Sequence, residues 1–200
     1  ASNDGGGIDI DSVTLNLNNS TVSSNSTKRH GGGIISKGTF NLSYGTVANN
    51  TSDSDDNSVG DGGGIYVNTA TSFNVKSSII AGNRRGTSGV SASFADCYDL
   101  GTINSLGYSL TGSGTDCLSV GTGDVTVAPA NVFTTVLGAL AFNGGPTRTH
   151  ALLAGSPALD QIPSGTSDCG SAPFNFDQRA RVRPFKGTCD MGAYEHGALL

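Results

Sequence analysis

Phe40-Asn41-Leu42-Ser43-Tyr44-Gly45-Thr46-Val47-Ala48-Asn49-Asn50 decides the fold, because the chain repeats it on either side. Leu15-Asn16-Leu17-Asn18-Asn19-Ser20-Thr21-Val22-Ser23-Ser24-Asn25 precedes it and Phe73-Asn74-Val75-Lys76-Ser77-Ser78-Ile79-Ile80-Ala81-Gly82-Asn83 follows it, and the copies align without a gap. Each stands behind three glycines and an isoleucine: Gly5-Gly6-Gly7-Ile8, Gly31-Gly32-Gly33-Ile34 and Gly62-Gly63-Gly64-Ile65. The triplets recur after 26 and then 31 residues, a spacing that belongs to solenoid and propeller arrays.

Within each unit, Leu15/Leu17, Phe40/Leu42 and Phe73/Val75 flank a single Asn, the two-residue alternation of a strand with one buried face. Gly, Ser, Thr and Asn fill the remainder while helix formers are scarce, which argues against helix. A unit of this length therefore holds two or three short strands joined by tight turns. Stacking lays like on like and predicts four inward ladders: Ile8/Ile34/Ile65, Leu15/Phe40/Phe73, Leu17/Leu42/Val75 and Val22/Val47/Ile80. One unit cannot bury its own apolar face, so the core exists only through stacking. The expected fold is all-β, a parallel β-helix (β-solenoid).

Asn25, Asn50 and Asn83 close the units, where Asn is expected to take the left-handed conformation and bond its neighbours above and below. Asn16, Asn41 and Asn74 fall between inward positions and are expected to form an outward ladder of stacked amides. Asn-x-Ser/Thr sequons occur at Asn18, Asn19, Asn25, Asn41, Asn49 and Asn50. In a secreted protein each is a glycosylation candidate, with the turn pair Asn25/Asn50 favoured if those side chains reach solvent.

A net charge of −5 with 14% charged residues leaves no basic footprint for nucleic acid. No apolar run is long enough to span a bilayer and no signal peptide opens the chain, so a mature secreted form or an excised fragment is expected. Cys97, Cys117, Cys169 and Cys189 all follow the repeats, and their spacings fit no CxxC metal or redox motif. That suggests two disulfides in an oxidising compartment. Three pairings are open in principle. The sequential one, Cys97 to Cys117 and Cys169 to Cys189, closes two local loops worth about 3 kcal/mol each where the repeat has decayed. Residues 1–112 are read as the stacked part, with a degenerate fourth unit over Leu100–Leu110. Residues 113–200 are read as an irregular, cross-linked region that caps the last unit within one structural unit.

The glycine triplets, together with Val22, Val47 and Ile80 three before an Asn, resemble the GGA(I/L/V) and FxxN repeats of polymorphic outer membrane protein-like adhesins. Ser105-Leu106-Gly107-Tyr108, Asn143-Gly144-Gly145-Pro146, Thr149-His150-Ala151-Leu152, Gly155-Ser156-Pro157-Ala158-Leu159-Asp160, Asp177-Gln178-Arg179 and Cys189-Asp190-Met191-Gly192-Ala193-Tyr194-Glu195 resemble the ordered landmarks of choice-of-anchor Q domain proteins. The resemblance covers nearly the whole chain and implies a right-handed parallel β-helix on a cell surface, mostly without assigned activity. This chain departs from the pattern in having few coils, and on this reading neither an autotransporter barrel nor an anchor is expected after Leu200.

Enzymes built on parallel β-helices need carboxylates and an Arg or Lys base converging from neighbouring coils. Asp9, Ile35 and Tyr66, one after the first ladder, make no such cluster, and His30, His150 and His196 are scattered. Asp177, Arg179, Arg181 and Arg183 read as charge pairs in the tail. Asp53, Asp55, Asp56 and Asp61 crowd the longest loop in an oxygen-rich composition that suits calcium, but the EF-hand spacing is missed and a solvated acidic loop is the plainer reading. A secreted, non-enzymatic structural or adhesive surface module without cofactor is expected, with a glycan or protein receptor as its partner. A carbohydrate-active or glycan-binding β-helix is the second reading. Only Ala1 to Asp4 precede the first triplet, so an open first coil is expected to associate end to end with another copy, as filaments do.

Overall fold

The computed structural model describes residues 4–88, 92–112, 114, 117 and 121–198. Ala1 to Asn3, part of the expected N-terminal overhang, and Leu200 lie outside them. The first layer consists of β1 (Ile8–Asn18) and β2 (Thr21–Ser23). The second has β3 (Ile34–Ser43), β4 (Thr46–Ala48) and β5 (Thr51–Ser52), and the third β6 (Ile65–Val67), β7 (Ser72–Lys76), β8 (Ile79–Ile80) and β9 (Arg84–Arg85). Next come β10 (Ser93–Phe94), β11 (Cys97–Asp99), β12 (Thr102–Ser105), β13 (Leu110–Gly112) and β14 (Val125–Val127). Except for the β9–β10 pair, these strands run parallel to their counterparts in the neighbouring layer. A curled sheet joins β11, β6, β3, β7 and β12 with β1 on β3, and a second sheet has the order β14-β13-β8-β4-β2.

The register follows the repeat. Ile8 pairs with Ile34 and Ile34 with Ile65, Leu15 with Phe40 and Phe40 with Phe73, Leu17 with Leu42 and Leu42 with Val75, and Val22 with Val47 and Val47 with Ile80. In the fourth layer Cys97 and Ile103 continue two of these rows, opposite Ile65 and Phe73. The Phe40 and Phe73 rings stack with centroids 4.9 Å apart and are shut off from solvent. Ile8, Leu15 and Leu17, with a layer on one side only, stay partly exposed.

The glycine triplets make the stacking corner. Gly5, Gly31 and Gly62 take φ between 63° and 70°, and a Cβ on Gly32 would meet the Gly63 carbonyl oxygen at 2.4 Å and the Thr51 carbonyl carbon at 2.4 Å. Only glycine lets two backbones approach that closely.

The stacked part runs past the boundary expected at residue 112, because β14 pairs Val125 with Leu110. A single π-helical turn, Val132–Val136, then feeds β15 (Leu137–Ala141), antiparallel to β16 (Thr149–Leu152), and β17 (Ile162–Pro163) pairs with β18 (Thr188–Cys189). This tail does not simply cover the last layer, as expected of a cap. It lies along the outer face of the second sheet and reaches back to the first layer, where Thr21 bonds Gln178 and Asn19 bonds Arg183. The cause is the outward row Ala48, Ile79, Ala81 and Leu110, which is buried against Val132, Val136, Leu137, Leu152 and Met191. A sheet apolar on both faces has to be covered on both. At Gly192 (φ 89°) an added Cβ would meet Thr46 Oγ1 at 2.8 Å, so the tail docks there through bare backbone. Cys97 is bonded to Cys117 and Cys169 to Cys189, each across 20 residues. The first bond belongs to the inner core and the second to the outer one.

Candidate functional site

Two polar ladders run across the layers, one exposed and one buried. On the outside, Asn41 Nδ2 donates to Asn16 Oδ1 at 2.7 Å, Asn74 to Asn41 at 2.7 Å, and Asn104 to Asn74 at 3.0 Å. The fourth amide extends the row that the sequence marks at three positions. Beside it, the Tyr66 and Tyr98 rings stack at 5.4 Å and His30 lies 4.4 Å from Tyr66, its Nδ1 accepting the Asp61 amide.

The second ladder corrects the expectation for the unit-closing Asn. Asn25, Asn50 and Asn83 are not left-handed; the residues before them are, at Ser24 (φ 61°), Asn49 (φ 58°) and Gly82 (φ 77°). That turn swings the following Asn inward. Asn25 Nδ2 donates to Asn50 Oδ1 at 3.0 Å, Asn50 to Asn83 at 2.9 Å, and Asn83 to Asp96 Oδ1 at 2.9 Å. Asn50 and Asn83 are fully buried, so their amides satisfy backbone that no water reaches. Asn50 is thereby removed as a glycosylation site in the folded chain, and Asn25 is partly buried with its amide engaged. Asn18 and Asn49 are exposed, Asn41 belongs to the outer ladder, and Asn19 accepts from Arg183 Nη1 at 3.1 Å.

The acidic loop does not converge on a point. Asp53 turns inward, accepting the Asn57 amide, with Arg85 Nε 3.8 Å from its other oxygen. Asp61 pairs with Arg85 Nη1 at 3.3 Å. Asp56 takes the hydroxyls and amides of Thr87 and Ser88, and those bonds, Thr87 foremost, hold its carboxyl down to about 2. Asp55 accepts from Asn57. Among the described residues no group of three or more His, Cys, Asp and Glu is placed to share a metal ion.

A groove of about 270 Å³ opens where β1 breaks register between Asp11 and Thr14. Its lining, Ser12, Val13, Thr14, Lys37, Gly38, Thr39, Ala70, Thr71 and Ser72, is polar and carries one charged side chain and no carboxylate.

The charge cluster of the tail is structural at its centre. Arg183, 1% exposed, gives Nε to Glu195 at 2.9 Å and Nη2 to the Gly192 carbonyl at 2.9 Å, and its guanidinium lies 4.3 Å from the Tyr44 ring centroid. Arg179 pairs with Asp177 at 2.7 Å and covers the Tyr194 ring at 3.6 Å. Burial pushes Glu195 up to about 7, raises Asp190, and drives the Tyr44 hydroxyl up to about 12. Arg181 is partly buried, and its Nη2 donates to the Gly144 carbonyl. Lys76 and Asp168 add an ion pair at the seam.

The seam also joins His150 to Ser23, a contact across 127 residues that no local sequence signal announces. His196 lies elsewhere in the tail, its amide bound to Asp190. No helix among the described residues is long and apolar enough to cross a membrane. A scan against protein-family models, a search of the curated proteins and a search of the solved structures each return no significant match.

Proposed function

We propose that the chain is a right-handed parallel β-helix of the choice-of-anchor or polymorphic-outer-membrane-protein kind, working outside the cell as a structural or adhesive surface module. The observation that carries this reading is the outward ladder Asn16–Asn41–Asn74–Asn104, which offers a row of amides bonded from layer to layer. Such a surface suits repeated contact with a glycan or a protein loop, and among the described residues of this face no carboxylate and base converge as polysaccharide cleavage would need. Two disulfides are compatible with an oxidising compartment. The ladder is also polar: it donates toward Asn16 and accepts toward Asn104, so a second copy stacked end to end would continue it in the same sense.

The groove at Ser12, Lys37 and Thr71 favours a second reading, a glycan-binding module, because hydroxyls and one cation suit a sugar better than an apolar ligand. Binding of the purified chain to a glycan array, with light scattering on the same sample, tests both readings. Adhesion predicts binding that weakens in Asn41→Asp/Asn74→Asp. Glycan capture in the groove predicts binding that weakens in Lys37→Ala, and a monomer without any glycan or surface binding overturns the adhesive role.

A further inference from the structure

Ser23 is the exception in its row. The equivalent residues of the next two units are Ala48 and Ala81, both buried against the tail. Ser23 is partly buried, and its Oγ lies 2.8 Å from Nε2 of His150. His150 is 2% exposed, and its Nδ1 lies 2.7 Å from the carbonyl oxygen of Gly138. A carbonyl only accepts, so Nδ1 carries the proton, Nε2 presents a lone pair, and the Ser23 hydroxyl is the donor. On the other side, Asn49 Nδ2 donates to Ser24 Oγ at 3.0 Å, and Ser24 Oγ lies 3.4 Å from Ser23 Oγ. The imidazole and Asn49 border a cavity of about 280 Å³ whose other walls are Phe133, Ala139 and Leu140.

We propose that Ser23 and His150 form a nucleophile–base dyad, oriented by the Gly138 carbonyl, that hydrolyses esters of short acyl groups. In acylation, Ser23 Oγ bonds to the ester carbonyl carbon while His150 Nε2 takes the hydroxyl proton. The bond from that carbon to the alcohol oxygen then breaks, and His150 returns the proton to the leaving alcohol. Water then bonds to the acyl carbon while His150 Nε2 takes its proton; the bond from that carbon to Ser23 Oγ breaks, His150 returns the proton to Oγ, and the carboxylic acid leaves. Asn49 holds a second amide hydrogen beyond the one it gives Ser24, a donor of the type that stabilises an oxyanion. The cavity is small for a ligand site and is reached from Ser23 across the imidazole, since Ser23 itself does not line it; its Phe, Ala and Leu walls suit a short apolar acyl group. Burial lowers the His150 pKa, so the ring is the free base through neutral pH. Backbone carbonyl and imidazole stand in for the third and second members of a triad. The activity neither rests on the surface role proposed above nor requires it.

The test is peptide mapping of the intact protein after treatment with a fluorophosphonate probe, together with hydrolysis of p-nitrophenyl acetate. The expected result is an adduct on Ser23 and a rate that falls by ~100-fold or more in Ser23→Ala and in His150→Gln. The rate should be unchanged in Ser171→Ala, an exposed serine of the tail, and the wild-type rate should rise through an apparent pKa below 6.5 to a plateau. Ser23→Ala removes one oxygen from a partly buried edge position, so its melting curve shows independently that the fold persists. No adduct, an adduct only elsewhere, or wild-type hydrolysis by Ser23→Ala overturns the dyad and leaves the Ser23–His150 bond as a structural tie.

Discussion

The inner core and the outer seam are both apolar and both closed by a disulfide, yet they are specified in different ways. Inside, Ile34, Phe40, Leu42 and Val47 each touch their own equivalents one layer away, so one short pattern sets every contact. Outside, Tyr44 meets Phe174 and Arg183, Thr46 meets Ala193, and Ser77 meets Gly192, singular pairings across most of the chain's length. A repeated core tolerates error in one layer because its neighbours carry the same rows. A singular seam has no second copy of any contact, and it places buried charge where a missing partner is costly.

The sharpest way to break this comparison is Phe40→Ala, which empties the middle of a stacked pair and is expected to cost about 3–5 kcal/mol. An unchanged denaturant midpoint would show that the seam, and not the inner ladder, holds the molecule.

A smaller effect separates the two Asn ladders. Asn50→Ala strips a fully buried amide that serves Val22, Ala48 and Asn83, and is expected to cost about 1–3 kcal/mol. Asn41→Ala, on the outer ladder, is expected to stay within about 0.5 kcal/mol. Equal costs, measured by urea titration of both variants, would remove the distinction between a ladder that builds the fold and one that presents a surface.

The last effect is one of pH, and it concerns the seam alone. Glu195 is raised in the folded chain from 4.5 to about 7, so its contribution is complete below pH 4.5 and is lost as pH rises through about 7. His150 runs the other way: its pKa is lowered from 6.5, and the stability it supports is lost as pH falls below that value. Taking Glu195→Gln as the reference isolates the first trend. The wild-type midpoint should decline relative to Glu195→Gln between pH 4.5 and 7, and parallel curves would show that the Arg183 pair keeps Glu195 ionised throughout.

Much of the layering was legible in the chain itself. The gap-free alignment of Leu15, Phe40 and Phe73 contains the register, because like residues stack only when each unit turns through the same path. The glycine triplets mark the corner for the same reason, since no other residue fits between those carbonyls. Ile79-Ile80-Ala81 hinted that the second sheet is apolar on both faces, as consecutive apolar residues in a strand point to opposite sides. What covers the outer face was not legible. Arg183 beneath the tail, Asn50 turned inward by a left-handed Asn49, and His150 on Ser23 depend on contacts between residues far apart in the chain. A repeat fixes its own stacking through local pattern, while the path of a non-repeating tail is decided by which distant side chains can satisfy one another's buried charges and hydrogen bonds, and only the folded molecule brings those together.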